Sequence, residues 1–131
     1  MIGLDTNVLV RLLVEDDVGQ TRRAIALLEQ ARAGGEMLYL DPIVIVETAW
    51  VLRSFYHATP ADIAEAIASL LGNAAYEIGD RRTIEAALRL YQDGKADFAD
   101  CLIVTRNLAA ACRHTVTFDA RAALLTGMNR L

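Results

Sequence analysis

Short apolar runs alternate along this chain with longer stretches in which apolar residues recur every three or four positions. The runs at residues 2–4, 37–40, 75–78 and 115–118 are too short for helices and predict buried strands. Between them the spacing predicts helices over residues 8–14, 20–32, 42–56, 60–72, 81–92 and 98–112, with a last helical turn at 122–125. The punctuation agrees. Thr6 and Asn7 are cap residue types, and Gly34-Gly35 stops the second helix. Asp41-Pro42 and Thr59-Pro60 each set a capping side chain before a proline at the first helical position. Asp80 and Asp97 stand where caps are needed for two further helices. Strands alternating with helices predict an α/β chain: one domain over residues 1–131, with a mostly parallel central sheet of four to five short strands and helices on both faces. In such sheets ligands bind beyond the carboxyl ends of the strands.

Composition narrows the picture. At 131 residues and 54% hydrophobic there is enough apolar material for one core. Two prolines and eight glycines leave little for long linkers. The formal net charge of -4 excludes a general nucleic-acid coat protein, which would be basic. It does not exclude a nuclease, because carboxylates loaded with metal present a cationic site. No uncharged apolar run reaches the roughly 18 residues of a membrane span. Asp5 and Arg11 interrupt any leader-like apolar stretch. A cytoplasmic chain without membrane contact is expected. Cys101 and Cys112 should share a helix about 16 Å apart, too far for a disulfide, as reduced and buried thiols.

Candidate chemistry lies in five carboxylates: Asp5, Glu47, Asp97, Asp100 and Asp119. Asp5 closes the first strand and opens the polar trio Asp5-Thr6-Asn7. Glu47 has Ile43, Val44, Trp50 and Val51 as its helical neighbours, so it should point from an apolar face. Asp97 and Asp100 share one side of a helix start. Asp97 is the better plain cap, and Asp100 leads straight into Cys101-Leu102-Ile103-Val104. Asp119 follows the last strand. Each alone is also readable as a cap, a turn residue or, for Glu47, a partner of Arg53 or Arg11. Together their apolar surroundings should carry them inward to one crevice. Two like charges about 5 Å apart repel by roughly 3 kcal/mol at an effective dielectric near 20, so protons or a divalent cation must offset them. An all-oxygen donor set favours Mg²⁺ or Mn²⁺ over zinc. His57 and His114 are too far apart in sequence for a zinc pair, and no Gly-rich phosphate loop or nucleophile motif occurs. Trp50 with Phe55 and Tyr56 reads as core or subunit contact rather than base stacking.

The pattern resembles the PIN-domain ribonucleases, most closely the VapC-like toxins of bacterial toxin–antitoxin pairs. The segment MIGLDTNVLVRLL is similar to that family's first strand with its Asp-Thr-Asn, IVIVETAWVL to its second acidic element, ADFADCLIV to its third and VTFD to its fourth. The likeness spans essentially the whole chain in order. It implies metal-dependent cleavage of RNA to 5′-phosphate and 3′-hydroxyl ends. Asp5, Glu47, Asp100 and Asp119 would form the acidic quartet, with Asp97 a further ligand. Thr6 and Asn7 would orient Asp5, and Thr117 would brace the site. The resemblance also implies a cognate antitoxin that covers the acids, and a homodimer. Two rival readings remain: a receiver-like Mg²⁺-binding signalling domain, which would need paired acids after the first strand, and a catalytically silent PIN scaffold whose acids serve only as caps.

Overall fold

The computed structural model describes residues 1–131. The chain forms two compact units, Met1–Asp80 and Arg81–Leu131.

The first unit runs β1 (Ile2–Gly3), α1 (Thr6–Leu13), α2 (Val18–Ala33), β2 (Leu38–Leu40), α3 (Pro42–Tyr56), α4 (Pro60–Gly72) and β3 (Tyr76–Ile78). Its three strands pair in the order β1-β2-β3, all parallel, with Ile2 opposite Leu38, Leu38 opposite Tyr76 and Leu40 opposite Ile78. The strands bury alternate residues: Leu38 and Leu40 on β2, Tyr76 and Ile78 on β3. Leu9 and Val10 of α1, Ile45 and Leu52 of α3, and Ile63 and Ile67 of α4 complete this core. Asp41 and Thr59 follow the expected cap chemistry, and Asp17 caps a second helix that starts at Val18, two residues before the expected Gln20. The Asp17 carboxylate accepts from the Gln20 amide at 2.8 Å, and Asp41 accepts from the Ile43 amide at 2.8 Å. Thr59 and Asp62 form a reciprocal capping box at the start of α4. Gly35, at φ 67°, ends α2 while the Glu36 amide donates back to the Ala31 carbonyl at 2.8 Å.

The second unit contains α5 (Arg81–Asp93), α6 (Phe98–Ala109), β4 (Thr115–Thr117), a 3₁₀ turn (Ala122–Leu124) and β5 (Met128–Arg130). Helices α5 and α6 pack together, with Tyr91 and Phe98 edge to face at 5.8 Å. Strands β4 and β5 are parallel, Thr115 opposite Met128 and Thr117 opposite Arg130.

The α/β class and the parallel pairing agree with the sequence. The strands, however, belong to one three-stranded and one two-stranded sheet rather than a single central ladder. Each is only two or three residues long, so each ladder has few bonds to extend it. Strand β5 has no apolar alternation to announce it. Helix α1 starts at Thr6, two residues earlier than expected, with Asp5 rather than Thr6 or Asn7 at the cap position. Helix α6 stops at Ala109, and Ala111 adopts the left-handed conformation at φ 64°. Cys112 therefore lies outside the helix and is exposed, while Cys101 is buried; both thiols are free. No helix is long and apolar enough to cross a membrane.

Candidate functional site

In the first unit the sequence MIGLD ends β1 and turns at once into α1, which leaves Asp5 at the amino end of the helix in extended backbone (φ -80°, ψ 157°). Its carboxylate makes no capping bond to the helix it precedes. Thr6 is buried, and its hydroxyl donates to Glu47 Oε2 of α3 at 2.5 Å. Thr6 thus holds Glu47, where the family likeness implies that it orients Asp5. Asn7 is exposed on the first turn of α1.

Glu47 corrects a second expectation. Helix α3 buries Ile45, Thr48, Ala49 and Leu52, and Glu47 lies on the opposite, exposed side with Ile43 and Trp50. The helix carries two apolar faces, and the sequence pattern favours neither. Trp50 and Phe55 are not core residues; they meet edge to face at 5.6 Å with both rings exposed. Asp5, Asp97 and Asp119 are exposed as well, and Asp100 is half-buried. The expectation of buried carboxylates is therefore wrong. Asp5, Asp97 and Asp119 stand where the chain leaves the core to begin a helix or turn, and Glu47 lies on the outward face of α3; both placements keep the acids near water.

In the second unit Asp97 occupies the cap position of α6 (φ -68°, ψ 154°) without a side-chain cap bond. The plain cap expected of Asp97 is absent. Asp100 instead reaches back and accepts a hydrogen bond from the Asp97 backbone amide. Burial pushes the Asp100 carboxyl above its ordinary range, and the like charges of Asp97 and Asp119 push it further in the same direction. Asp119 is held differently. Its carboxylate accepts from the Ala122 amide at 2.8 Å, and its own amide donates to Thr117 Oγ1 at 3.0 Å. The Ala122 bond, followed by the Arg121 amide and the charges of Arg121 and Arg130, holds its carboxyl below the ordinary range. The neighbouring thiol of Cys101 is pushed up to about 11 by burial and by the charges of Asp100 and Asp97, so it is no nucleophile.

The donor chemistry suits a hard cation. Every candidate ligand is a carboxylate oxygen, and in the second unit the charges of Asp97 and Asp119 both act against ionised Asp100. No group of three or more His, Cys, Asp or Glu side chains is gathered closely enough in the structure to hold a metal ion. The receiver-like alternative needs paired acids after β1, where Asp5 stands alone; the pair Asp16-Asp17 lies beyond α1 and is engaged elsewhere. Asp17 caps α2, and Asp16 accepts from Arg11 at 2.9 Å and from the Tyr56 hydroxyl at 2.6 Å. That Arg11–Asp16–Tyr56 cluster, with Gln20 accepting from Arg11 Nε at 2.7 Å, was not signalled by spacing, since its members come from three elements and a loop.

The PIN domain family matches residues 2–126. The chain is also 25% identical over 118 residues to a VapC ribonuclease of Aquifex aeolicus (strain VF5), covering 90% of this chain and 87% of that protein. With the family match spanning nearly all of the sequence, and with acids at the starts of α1 and α6, on α3 and after β4, this chain belongs to the PIN domain family.

Proposed function

We propose that the chain is a metal-dependent endoribonuclease, the toxin of a VapBC-type toxin–antitoxin pair, working in the cytoplasm. The observation that carries the reading is the behaviour of Asp5. It occupies a helix cap position in extended backbone and does not cap its helix, whereas Asp17, Asp41 and Thr59 at equivalent positions all do. A silent scaffold that keeps acids as caps gives no reason for that difference. The similarity to a VapC ribonuclease supports the same reaction.

Asp5, Glu47, Asp97, Asp100 and Asp119 are the residues that would hold Mg²⁺ or Mn²⁺. Such an ion lowers the pKa of a bound water and takes up charge on phosphate oxygens. Thr6 occupies one oxygen of Glu47 and leaves the other for the ion. The Ala122 amide does the same for Asp119, and Thr117 steadies that turn. In the reaction a water oxygen joins phosphorus as the bond to the 3′ oxygen breaks. The leaving oxygen takes a proton, so the products carry a 5′-phosphate and a 3′-hydroxyl. No histidine is required as base.

A cognate antitoxin would silence these acids with an Arg or Lys side chain. The chain would pair with a second copy of itself, for which exposed Val18 on α2 and Val116 and Leu124 in the second unit offer apolar surface. The test is cleavage of a mixed RNA pool by purified chain with Mg²⁺ or Mn²⁺, beside Asp5→Ala. Metal-dependent 5′-phosphate ends that vanish in Asp5→Ala are expected. Cleavage that persists in Asp5→Ala, or in excess chelator, overturns the reading.

A further inference from the structure

Helix α1 is only eight residues long, short of the roughly 12–15 that let a helix persist in isolation. Its placement therefore comes from what it touches. Leu9 and Val10 are buried, but apolar burial is non-directional and does not fix how a helix slides or turns. The polar contacts do. At the first residue of α1 the Thr6 hydroxyl donates to Glu47 of α3 at 2.5 Å. In its last turn Arg11 Nη1 donates to Asp16 Oδ1 at 2.9 Å and to the hydroxyl of Tyr56, the last residue of α3, at 3.2 Å. The Tyr56 hydroxyl donates in turn to Asp16 Oδ2 at 2.6 Å. Arg11, Asp16 and Tyr56 thus close a ring in which both carboxylate oxygens and the phenol are engaged. Arg11 Nε extends it to Gln20 of α2 at 2.7 Å. Exposed ion pairs add little to stability, and the Asp16 side chain is 44% exposed. What such a ring supplies is geometry.

We infer that Tyr56 and Asp16 are positioning residues for the metal-binding acids, acting through Arg11 to set α1 against α3. This rests on the nuclease reading above and extends it to residues outside the acids. The route is short. Asp5 directly precedes Thr6 at the start of α1, and Glu47 is the residue that Thr6 holds. Two ties therefore join the same pair of helices, at Thr6 and at Arg11, about 7.5 Å apart along the α1 axis. With the first tie alone, α1 can pivot about the Thr6–Glu47 bond. With both, its rotation and its register on α3 are set together. Metal ligands need placement to within about 0.5 Å, so a pivot that displaces the Asp5 carboxylate from Glu47 by that much weakens the hold on an ion.

The experiment titrates Mn²⁺ into the full chain by calorimetry and measures RNA cleavage. The variants are Tyr56→Phe, Asp16→Ala, Thr6→Val and the double variant Thr6→Val/Tyr56→Phe, with Thr59→Ala as a control that weakens a helix cap elsewhere. Tyr56→Phe keeps the ring and removes the hydroxyl from the cluster, and Asp16→Ala opens the cluster from the loop side. Each should weaken Mn²⁺ binding and lower kcat about 3- to 10-fold, with KM for RNA unchanged. Thr59→Ala should alter neither. The double variant should lose less than the product of its two single losses, because both ties act on one helix placement. Unchanged Mn²⁺ affinity and kcat in Tyr56→Phe and Asp16→Ala overturn the inference. So does a full product of losses in the double variant, which would make the two ties independent, or an equal loss in Thr59→Ala, which would mean general softening of the fold. Failure of the inference leaves metal-dependent cleavage by the unaltered chain intact, whereas failure of the nuclease reading appears as no metal-dependent cleavage at all.

Discussion

Asp100 and Asp119 are both acids of the candidate site, yet their surroundings push them in opposite directions. The Asp100 carboxyl lies above its ordinary value, chiefly from burial, so the folded chain holds that proton more tightly than the unfolded chain. The penalty is absent below the unfolded value near 4 and is fully developed once pH exceeds the folded value. At neutral pH Asp100→Asn should therefore stabilise the fold, by about 1 kcal/mol or less after solvent screening, while abolishing cleavage. Thermal melts at pH 7 and pH 4 check this, with the gain expected at pH 7 and missing at pH 4. Asp119 is the reverse case. Its lowered value stabilises the fold above the unfolded pKa, and that contribution fades as pH falls through the folded value. Asp119→Asn should lower the melting temperature as well as activity. At Thr6 the discriminating pair is Thr6→Val and Thr6→Ser. The first loses the hydroxyl on Glu47 and should cut kcat and weaken Mn²⁺ binding about 5- to 10-fold, as the loss of one charge-assisted hydrogen bond implies. The second restores the donor and should recover most of both. Equal behaviour of the two variants in a metal titration would reduce Thr6 to a packing residue.

The helices show which kinds of signal a sequence carries. Asp41-Pro42 and Thr59-Pro60 placed two helix starts correctly because proline and a short capping side chain act through local backbone geometry. Thr59→Ala should cost about 1 kcal/mol in a denaturant titration and leave cleavage unchanged. The end of α6 was invisible for the complementary reason. Ala111 takes φ 64° with no glycine or asparagine to announce it, so the pattern runs on to Cys112. Glu47 was misplaced because α3 is apolar on two sides, and only packing decides which side is buried. Asp5, Asp97, Asp100 and Asp119 were legible as residue types at strand ends and helix starts, and Glu47 as a lone acid within an apolar helix. Their exposure, and the choice of Thr6 as partner of Glu47, depend on contacts 41 residues apart in sequence. On the buried side of the same helix, the Thr48 hydroxyl has no hydrogen-bond partner. Thr48→Val replaces it with a near-isosteric methyl and should raise stability by about 1 kcal/mol, measurable as a higher denaturation midpoint with an unchanged slope.

At the scale of the whole molecule, 17 acidic residues outnumber 13 basic ones, and the five candidate carboxylates are among the 17, although the proposed substrate is itself a polyanion. Divalent cation should then act on the fold as well as on the reaction. Saturating Mg²⁺ or Mn²⁺ should raise the melting temperature by the linkage that any ligand of the native state obeys, about 2.7 kcal/mol at a hundredfold excess over Kd. Chelator should reverse the shift, and Asp100→Asn should shrink it. A melting curve indifferent to either ion would mean that the carboxylates do not gather one.

Strand β5 sets a practical constraint on all of these measurements. The Leu131 amide donates to the Thr117 carbonyl at 2.9 Å, and the Thr117 hydroxyl receives the amide of Asp119. Residues 128–131 are therefore a splint for the turn that carries Asp119. A change that distorts β5 would disturb that turn and imitate a lesion at Asp119 itself, so variants near residues 128–131 need a check of the fold before any loss of activity is read as chemistry.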